Sequence, residues 1–527
     1  MTGDHHSPPQ RRGDAPTGSR LGLKHRIRRL HPDNIASAVG TRTTSSSRLR
    51  PERGVSVAGT DRPWFTSRRG FLLAGATVVA AGAYDVTGLR HHKPKDTSTA
   101  NDVPAAQASR EMTFPRTATC YLAQSRLPPV ATLARYDLVV INNEWPHRVP
   151  PDYFVKLRAA NPRMRLLAYV DLVDSMSRTG TVKNWPNSYA LWQFQTSSSS
   201  RFPRAWLAYT AAGVPVHDYQ DLVMTNLTDA CPRVGGQRFV EYAADWVTGR
   251  VWSAGIWDGI YLDVWGDTLW TVDQNQWDIT GTGHDVPSTK IYGPGDPLDR
   301  GLTSGERTMR SRMPDAILVA NGSRTMHAGL LDGLVWESFA DPLVHRDPVS
   351  DLTGYVTVGA SAPHRKPGVS MTISSRRVPA GSADDYRRAR FALAATLMQN
   401  GFWAPMGDDY GQPVYYDEMD GAGLGRGYLG QALEPNPPLS VITTVTDDGT
   451  GSPAPYVYRR DFEHGIALVN VGPTAQQVTL RREYRRLSGK TDRLVNNGTT
   501  VDLLTIPAQD GVILLDPLSP PPPATSP

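Results

Sequence analysis

From residue 117 onward, short apolar runs alternate with stretches of helical spacing. The runs fall at 118–123, 138–142, 166–171, 259–263, 317–321, 333–337, 369–373 and 402–405. Each is continuously apolar instead of alternating, the pattern of parallel strands covered on both faces. Between them, residues 239–251 (FVEYAADWVTGRV) and 384–398 (DDYRRARFALAATLM) carry apolar positions at helical intervals. Strands alternating with helices predict an α/β chain. Eight such strands in a row predict a (β/α)8 TIM barrel over 113–436, enlarged by an insertion at 173–236 with a hairpin-like piece at 206–217. The competing architecture is a doubly wound open sheet. It would carry a glycine-rich phosphate loop, and neither G-x-G-x-x-G nor G-x-x-x-x-G-K-[ST] occurs.

After residue 436 the pattern changes. Residues 456–460, 465–470, 477–480, 501–506 and 511–515 read as short strands, separated by turns such as Glu463-His464-Gly465 and Asn496-Asn497-Gly498, with no helical spacing between them. They predict a small C-terminal antiparallel β-sandwich over 437–517. A proline-rich tail follows at 518–527.

Composition changes this picture mainly at the N-terminus. The chain carries a formal charge of +5, but residues 1–100 hold 17 Lys/Arg against 7 Asp/Glu and the other 427 residues hold 39 against 44. The basic excess therefore belongs to a leader at 1–66, and the body has no basic stripe that would imply a nucleic-acid partner. Ser67-Arg68-Arg69-Gly70-Phe71-Leu72-Leu73 resembles the twin-arginine export motif, and the apolar stretch to Ala83 ends in the small-x-small site Ala81-Gly82-Ala83. Residues 67–83 are thus expected to be a signal, engaging the twin-arginine translocase during export, with a linker at 84–112. The apolar stretch is too short to span a bilayer. An extracytoplasmic or secreted location follows from this reading. Only two cysteines occur, Cys120 and Cys231. They either form one disulfide or remain two buried thiols, and they exclude a disulfide scaffold or a CxxC zinc site.

The candidate chemistry lies in two matching segments, Asp258-Gly-Ile-Tyr-Leu-Asp263 and Asp332-Gly-Leu-Val-Trp-Glu337. Alternation along a strand puts Gly259, Tyr261 and Asp263 on one face, and Gly333, Val335 and Glu337 on one face. With the aliphatic residues turned to the helices, both acids point inward at the C-terminal mouth, where barrel enzymes hold their sites. Asp258 and Asp332 then sit at the opposite rim in structural roles. By count these are strands four and six, so the acids converge across the mouth at the separations used by paired carboxylates in glycoside hydrolysis. A gap of about 5–5.5 Å means retention and about 6.5–9.5 Å inversion. Other polar groups fall at strand ends: Asn142, Asn143 and Glu144, then Asp171, Asp267, Asn321, Asp408 and Asp409. Glu144, Asp171, Asp267, Asn321 and Asp408 are candidates to bind sugar hydroxyls, with Asp171 and Glu144 the rivals for the catalytic roles. Trp145, Trp265, Trp336 and Trp403 lie beside these groups, either as packing or as platforms for sugar rings; Trp265 and Trp403 are taken as platforms. No metal or cofactor site is read from the spacing of the histidines.

Several of these segments resemble the hypothetical glycoside hydrolases, a group of (β/α)8 barrels. They are Trp257-Asp-Gly-Ile-Tyr-Leu-Asp-Val-Trp265, Ala320-Asn-Gly322, Asp332-Gly-Leu-Val-Trp-Glu337, Tyr415-Tyr-Asp-Glu418 and Gly427-Tyr-Leu-Gly430. Residues 458–470 are similar to the C-terminal sandwich of such proteins. The resemblance spans roughly Thr117 to Leu515 and implies hydrolysis of O-glycosyl bonds. Acids after strands four and six also resemble the α-glycosidase clan. That likeness implies Asp263 as nucleophile and Glu337 as acid/base, although the clan typically has Asp where Glu337 stands. Glycoside hydrolysis of a polysaccharide or envelope glycan is the leading expectation, and a non-catalytic carbohydrate-binding barrel the alternative. Serine esterase and zinc protease chemistry lack their G-x-S-x-G and H-E-x-x-H signatures.

Overall fold

The computed structural model describes residues 112–122, 126–174, 204–219, 222–269, 272–322, 329–339, 341, 347–360, 368–407, 410–441, 443–445 and 453–521. The leader, the twin-arginine segment, nearly all of the linker, Asp408 and Asp409 lie outside these.

Eight strands form one parallel sheet in chain order: β1 (Ala118–Tyr121), β2 (Leu138–Asn142), β3 (Arg165–Asp171), β4 (Gly259–Asp263), β5 (Ile317–Asn321), β6 (Gly333–Glu337), β7 (Met371–Ser375) and β8 (Phe402–Met406). The sheet closes on itself through a parallel bridge between Thr117 and Trp403, where the Trp403 N–H donates to the Arg116 carbonyl at 3.0 Å. Around it lie α1 (Val130–Leu133), α2 (Asp152–Ala160), α3 (Phe239–Trp246), α4 (Pro297–Arg312), α5 (Pro348–Ala360) and α6 (Ala383–Leu397). This is the (β/α)8 barrel the pattern predicted. No helix among the described residues is long and apolar enough to cross a membrane.

Period-two alternation sorts the strand residues into two cores. Leu138, Val140, Leu167, Tyr261, Val319, Val335, Met371, Phe402 and Ala404 fill the barrel, while Ile260, Leu262, Leu318, Ala320 and Leu334 meet the helices. The two Asp-Gly pairs owe their glycines to this crowding. A Cβ on Gly259 would sit 2.1 Å from the Ile317 carbonyl oxygen, and one on Gly333 would sit 2.4 Å from the Val369 backbone. Asp258 and Asp332 lie at the opposite rim from the mouth. Asp258 accepts the Leu166 N–H at 2.7 Å, and Asp332 accepts the Leu318 N–H at 2.8 Å.

Two elements differ from expectation. The seventh strand starts at Met371, because the Val369 N–H donates to the Asp332 carbonyl before regular pairing begins. The helix expected over 239–251 is α-helical only to Trp246. It widens into a π turn over Val247–Val251, keeps both valines buried, and stops at left-handed Gly255. Gly249 inside that turn weakens the regular helix there. Cys120 and Cys231 are both free and buried, which decides between the two readings of the cysteines.

The C-terminal part is an antiparallel sheet of β9 (Thr443–Val445), β10 (Pro453–Phe462), β11 (Gly465–Asn470), β12 (Gln476–Arg486), β13 (Thr500–Ile506) and β14 (Asp510–Leu515), ordered β9-β10-β11-β14-β12-β13. Although β10 and β12 stand three places apart in that order, they touch, so the sheet folds over. Val457, Ile466, Leu468, Val478, Leu480, Leu504, Ile506, Val512 and Leu514 form the core inside the fold. The arrangement is consistent with a small sandwich. Its other face, with Ala467, Val469, Ile513 and Leu515, joins the barrel core and packs on α6.

Polar groups lock this joint. Arg390 of α6 donates to Asp510 at 3.0 and 2.8 Å and also to Asp492. Asp417 accepts the backbone N–H groups of Lys490 and Thr491, each at 2.9 Å, and Glu418 accepts the Asn496 side-chain amide at 2.7 Å.

Candidate functional site

Asp263 ends β4 and Glu337 ends β6, each two residues beyond an interior side chain, Tyr261 or Val335. Both therefore turn into the barrel mouth. Asn321, at the end of the intervening β5, joins them. Its amide Nδ2 donates to Asp263 Oδ1 at 2.7 Å and to Glu337 Oε2 at 3.3 Å. Those two distances limit the oxygens to a separation of at most 6.0 Å. Each acid has a phenol as its second donor. Tyr169 Oη donates to Asp263 Oδ2 at 2.5 Å, and Tyr410 Oη donates to Glu337 Oε1. Asp263 is buried, whereas Glu337 is half-buried.

The backbone leaves both acids in the same way. Val264 and Ser338, the residues that follow them, are left-handed with φ of 54° and 57°. For a β-branched valine this conformation is a true outlier, strain of the kind that persists where surrounding structure fixes a functional side chain. It also breaks the strand alternation, so that the Trp265 N–H swings to the Asn321 carbonyl at 2.8 Å.

Asp171 on β3 is the register partner of Asp263 on β4. Burial, with the neighbouring Asp263 charge next, pushes its carboxyl up to about 7. The Val173 N–H still donates to it at 3.0 Å. Below, Cys120 of β1 faces the same space. Burial, then the charges of Asp263 and Glu337, drive its thiol well above the usual range. Tyr261 lines the floor, and its ring stacks on that of Tyr169 at 5.8 Å. Among the described residues, no group of three or more His, Cys, Asp or Glu is arranged to hold a metal ion.

The structure thus brings together Asp263, Glu337, Asn321 and Asp171. Two tryptophans are corrected. Trp265 is fully buried in the helix layer, where its indole N–H donates to Glu306 at 3.0 Å and its ring packs over Gly305 of α4. Trp403 points out of the barrel between inward Phe402 and Ala404, buried against Tyr416, with its N–H on Ser374 at 2.9 Å. Neither offers a face to a sugar. Glu144 is fully buried at the start of a short 3-10 turn. Asp267 is buried too, and its carbonyl accepts the Gly293 N–H at 2.8 Å. Asp408 lies outside the described residues. Tyr169 and Tyr410 were not foreseen. Tyr169 was legible, since it shares a strand face with Asp171; Tyr410 arrives on a loop whose carbonyl accepts the Leu122 N–H, which no local pattern announces.

The family model of hypothetical glycosyl hydrolase family 15 matches residues 158–466, a span that holds Tyr169, Asp171, Asp263, Asn321 and Glu337. No curated protein matches the chain. Among solved structures, the chain is similar to the glycoside hydrolase domain of PelA from Pseudomonas aeruginosa, at 13% identity over 56% of this chain and 96% of that one, with a TM-score of 0.35. It is similar to an Anoxybacillus alpha-amylase at 12% identity over 75% of this chain and 89% of that one, with a TM-score of 0.35. A cycloalternan-forming enzyme from Listeria monocytogenes aligns at 11% identity over 73% of this chain and 39% of that one, with a TM-score of 0.37.

Proposed function

The chain belongs to hypothetical glycosyl hydrolase family 15, and on that premise we propose that it hydrolyses an O-glycosyl bond with Asp263 and Glu337 as its carboxylate pair. The observation that carries this reading is the Asn321 amide held between the two acids, at 2.7 and 3.3 Å. The two N–H bonds of an amide diverge at roughly 120°, so these distances correspond to oxygens about 5 Å apart. That is the spacing of a retaining pair, with no room between the acids for an attacking water.

The surroundings divide the roles. Asp263 is the more deeply buried acid, and each of its oxygens receives a short bond, from Tyr169 or Asn321. Donors aimed at a carboxylate favour its ionised form. Asp263 is therefore the nucleophile, attacking the anomeric carbon as the glycosidic bond breaks. Glu337 is more open: Tyr410 donates to its Oε1, while the Asn321 contact to its Oε2 is long, at 3.3 Å. It gives its proton to the departing glycosidic oxygen, then takes one from the water that releases the sugar from Asp263. Asp171, beside Asp263, would meet sugar hydroxyls.

The twin-arginine-like segment Ser67-Arg68-Arg69-Gly70-Phe71-Leu72-Leu73 supports export. A polysaccharide or envelope glycan outside the cytoplasm is accordingly the substrate class. The test is to incubate the purified protein with bacterial envelope and plant polysaccharides and follow new reducing ends, with proton NMR of the first-formed anomer. Asp263→Asn is expected to drop to background, and Glu337→Gln to lose about 10²- to 10⁴-fold on substrates with a poor leaving group. Wild-type activity in either variant would remove the assignment. Glycan binding without new reducing ends would make the barrel a carbohydrate-binding protein.

A further inference from the structure

Two stretches of the barrel are built alike. Arg158 of α2 donates to the carbonyls of Met164 at 2.6 Å and Ile256 at 3.0 Å, and to the Asp258 carboxylate at 2.7 Å. Arg310 of α4 donates to the carbonyls of Ala316 at 2.5 Å and Leu330 at 2.6 Å, and to the Asp332 carboxylate at 2.9 Å. Asp258 then accepts from Leu166 on β3, and Asp332 from Leu318 on β5. Each acid pins the strand before its own. The unit α2–β3–β4 therefore superposes in its contacts on α4–β5–β6.

This equivalence sets Leu166 against Leu318, and hence Tyr169 against Asn321 three residues further along each strand. It sets Asp263 against Glu337, and left-handed Val264 against left-handed Ser338. The two non-acidic residues do the same thing. Tyr169 donates to the acid on the next strand, Asp263, and Asn321 donates to the acid on the next strand, Glu337.

We propose that Tyr169 is a positioning residue for Asp263. Its hydroxyl, bonded to Asp263 Oδ2 at 2.5 Å, holds that carboxylate aimed into the mouth, and so makes Asp263, and not the adjacent Asp171, the nucleophile. The inference rests on the carboxylate-pair reading above and adds to it the residue that selects between two neighbouring aspartates. Among the described residues, the groups around Asp263 include Tyr169 and Asp171 from β3, Asn321 from β5, Cys120 from β1, Tyr261 on its own strand, Glu337 from β6 and, next to Glu337, Tyr410 from the segment after β8. Among these described groups none is a cation, and Tyr169 and Asn321 donate to the two carboxylate oxygens at 2.5 and 2.7 Å.

A donor to the ionised form lowers a carboxyl pKa, so its removal raises it. Tyr169→Phe keeps the ring on Tyr261 and deletes only the hydroxyl. It is expected to lower kcat about 10- to 100-fold, the range for loss of a hydrogen bond to a charged group. KM should stay within about twofold, and the acid limb of kcat/KM should move up by about one pH unit or more. A purely structural role would leave that limb in place.

The second measurement needs no substrate. Carbon-13 NMR of aspartate-labelled protein follows the Asp263 carboxyl, identified by the signal lost in Asp263→Asn, and its chemical shift at neutral pH should move in Tyr169→Phe as the hydroxyl's bond to Oδ2 is lost. Wild-type kcat and an unmoved acid limb in Tyr169→Phe, with Asp263→Asn inactive, would overturn the inference alone. An active Asp263→Asn would overturn the carboxylate-pair reading, and the carboxyl signal would still decide whether Tyr169 positions Asp263.

Discussion

Glu418 offers a sharp test of the joint between barrel and sheet. It is buried, and its Oε1 accepts the Asn496 amide at 2.7 Å. Burial pushes its carboxyl from an ordinary 4.5 up to about 7. A raised carboxyl pKa means that the folded protein keeps a proton which the unfolded chain releases. Its stability contribution is full below about pH 4.5, falls as pH rises toward 7, and is gone above that. The gap of roughly 2.5 units corresponds to about 3 kcal/mol at 1.36 kcal/mol per unit. Glu418→Gln has nearly the same shape, keeps an oxygen for Asn496 and never ionises. The variant should match the wild type within about 1 kcal/mol at pH 5 and exceed it by up to about 3 kcal/mol at pH 8. Urea unfolding followed by tryptophan fluorescence at pH 5, 6, 7 and 8 measures this directly. Parallel stability profiles for the two proteins, or a variant weaker at pH 8, would refute the reasoning.

Two further outcomes concern packing. Arg390→Met leaves Asp492 and Asp510 buried without their cation, and should cost about 3–5 kcal/mol in thermal or denaturant unfolding; a loss below about 1 kcal/mol would mean that the joint does not depend on this cluster. Gly259→Ala drives a methyl to 2.1 Å from the Ile317 carbonyl oxygen and should exceed the ordinary overpacking loss of about 1–3 kcal/mol, whereas Gly249→Ala, with nothing within 4 Å, should be neutral or stabilising. Comparable melting temperatures for the two alanine variants would count against the tight β4–β5 approach.

The barrel was legible because parallel strands buried on both faces must be apolar throughout, which marks them without any neighbour's help. The acids were legible for a related reason, since five residues from a rim aspartate to the mouth is one strand length. Aromatic roles were harder. Trp403 sits between two inward residues, so alternation alone would have turned it outward. Trp265 follows left-handed Val264, and no alternation survives such a residue. The donors Asn321 and Tyr410 depend on which strand lies beside which, information that a linear pattern holds only after the sheet is closed. The segment Tyr415-Tyr-Asp-Glu418, read as a mark of family likeness, turned out to be the hinge pin between barrel and sheet: Asp417 and Glu418 bind the loop that precedes β13.

The seam of the barrel bears on how the chain is made. Thr117 meets Trp403 across the closure, and just before it the Phe114 N–H donates to the Gly430 carbonyl at 2.8 Å. A ribosome delivers the first strand long before either partner exists. Until then β1 has an unpaired edge, and the growing sheet can only curl, not close. Chains that stop short of residue 403 should therefore behave as open sheets with two sticky margins, prone to join one another, and not as smaller barrels.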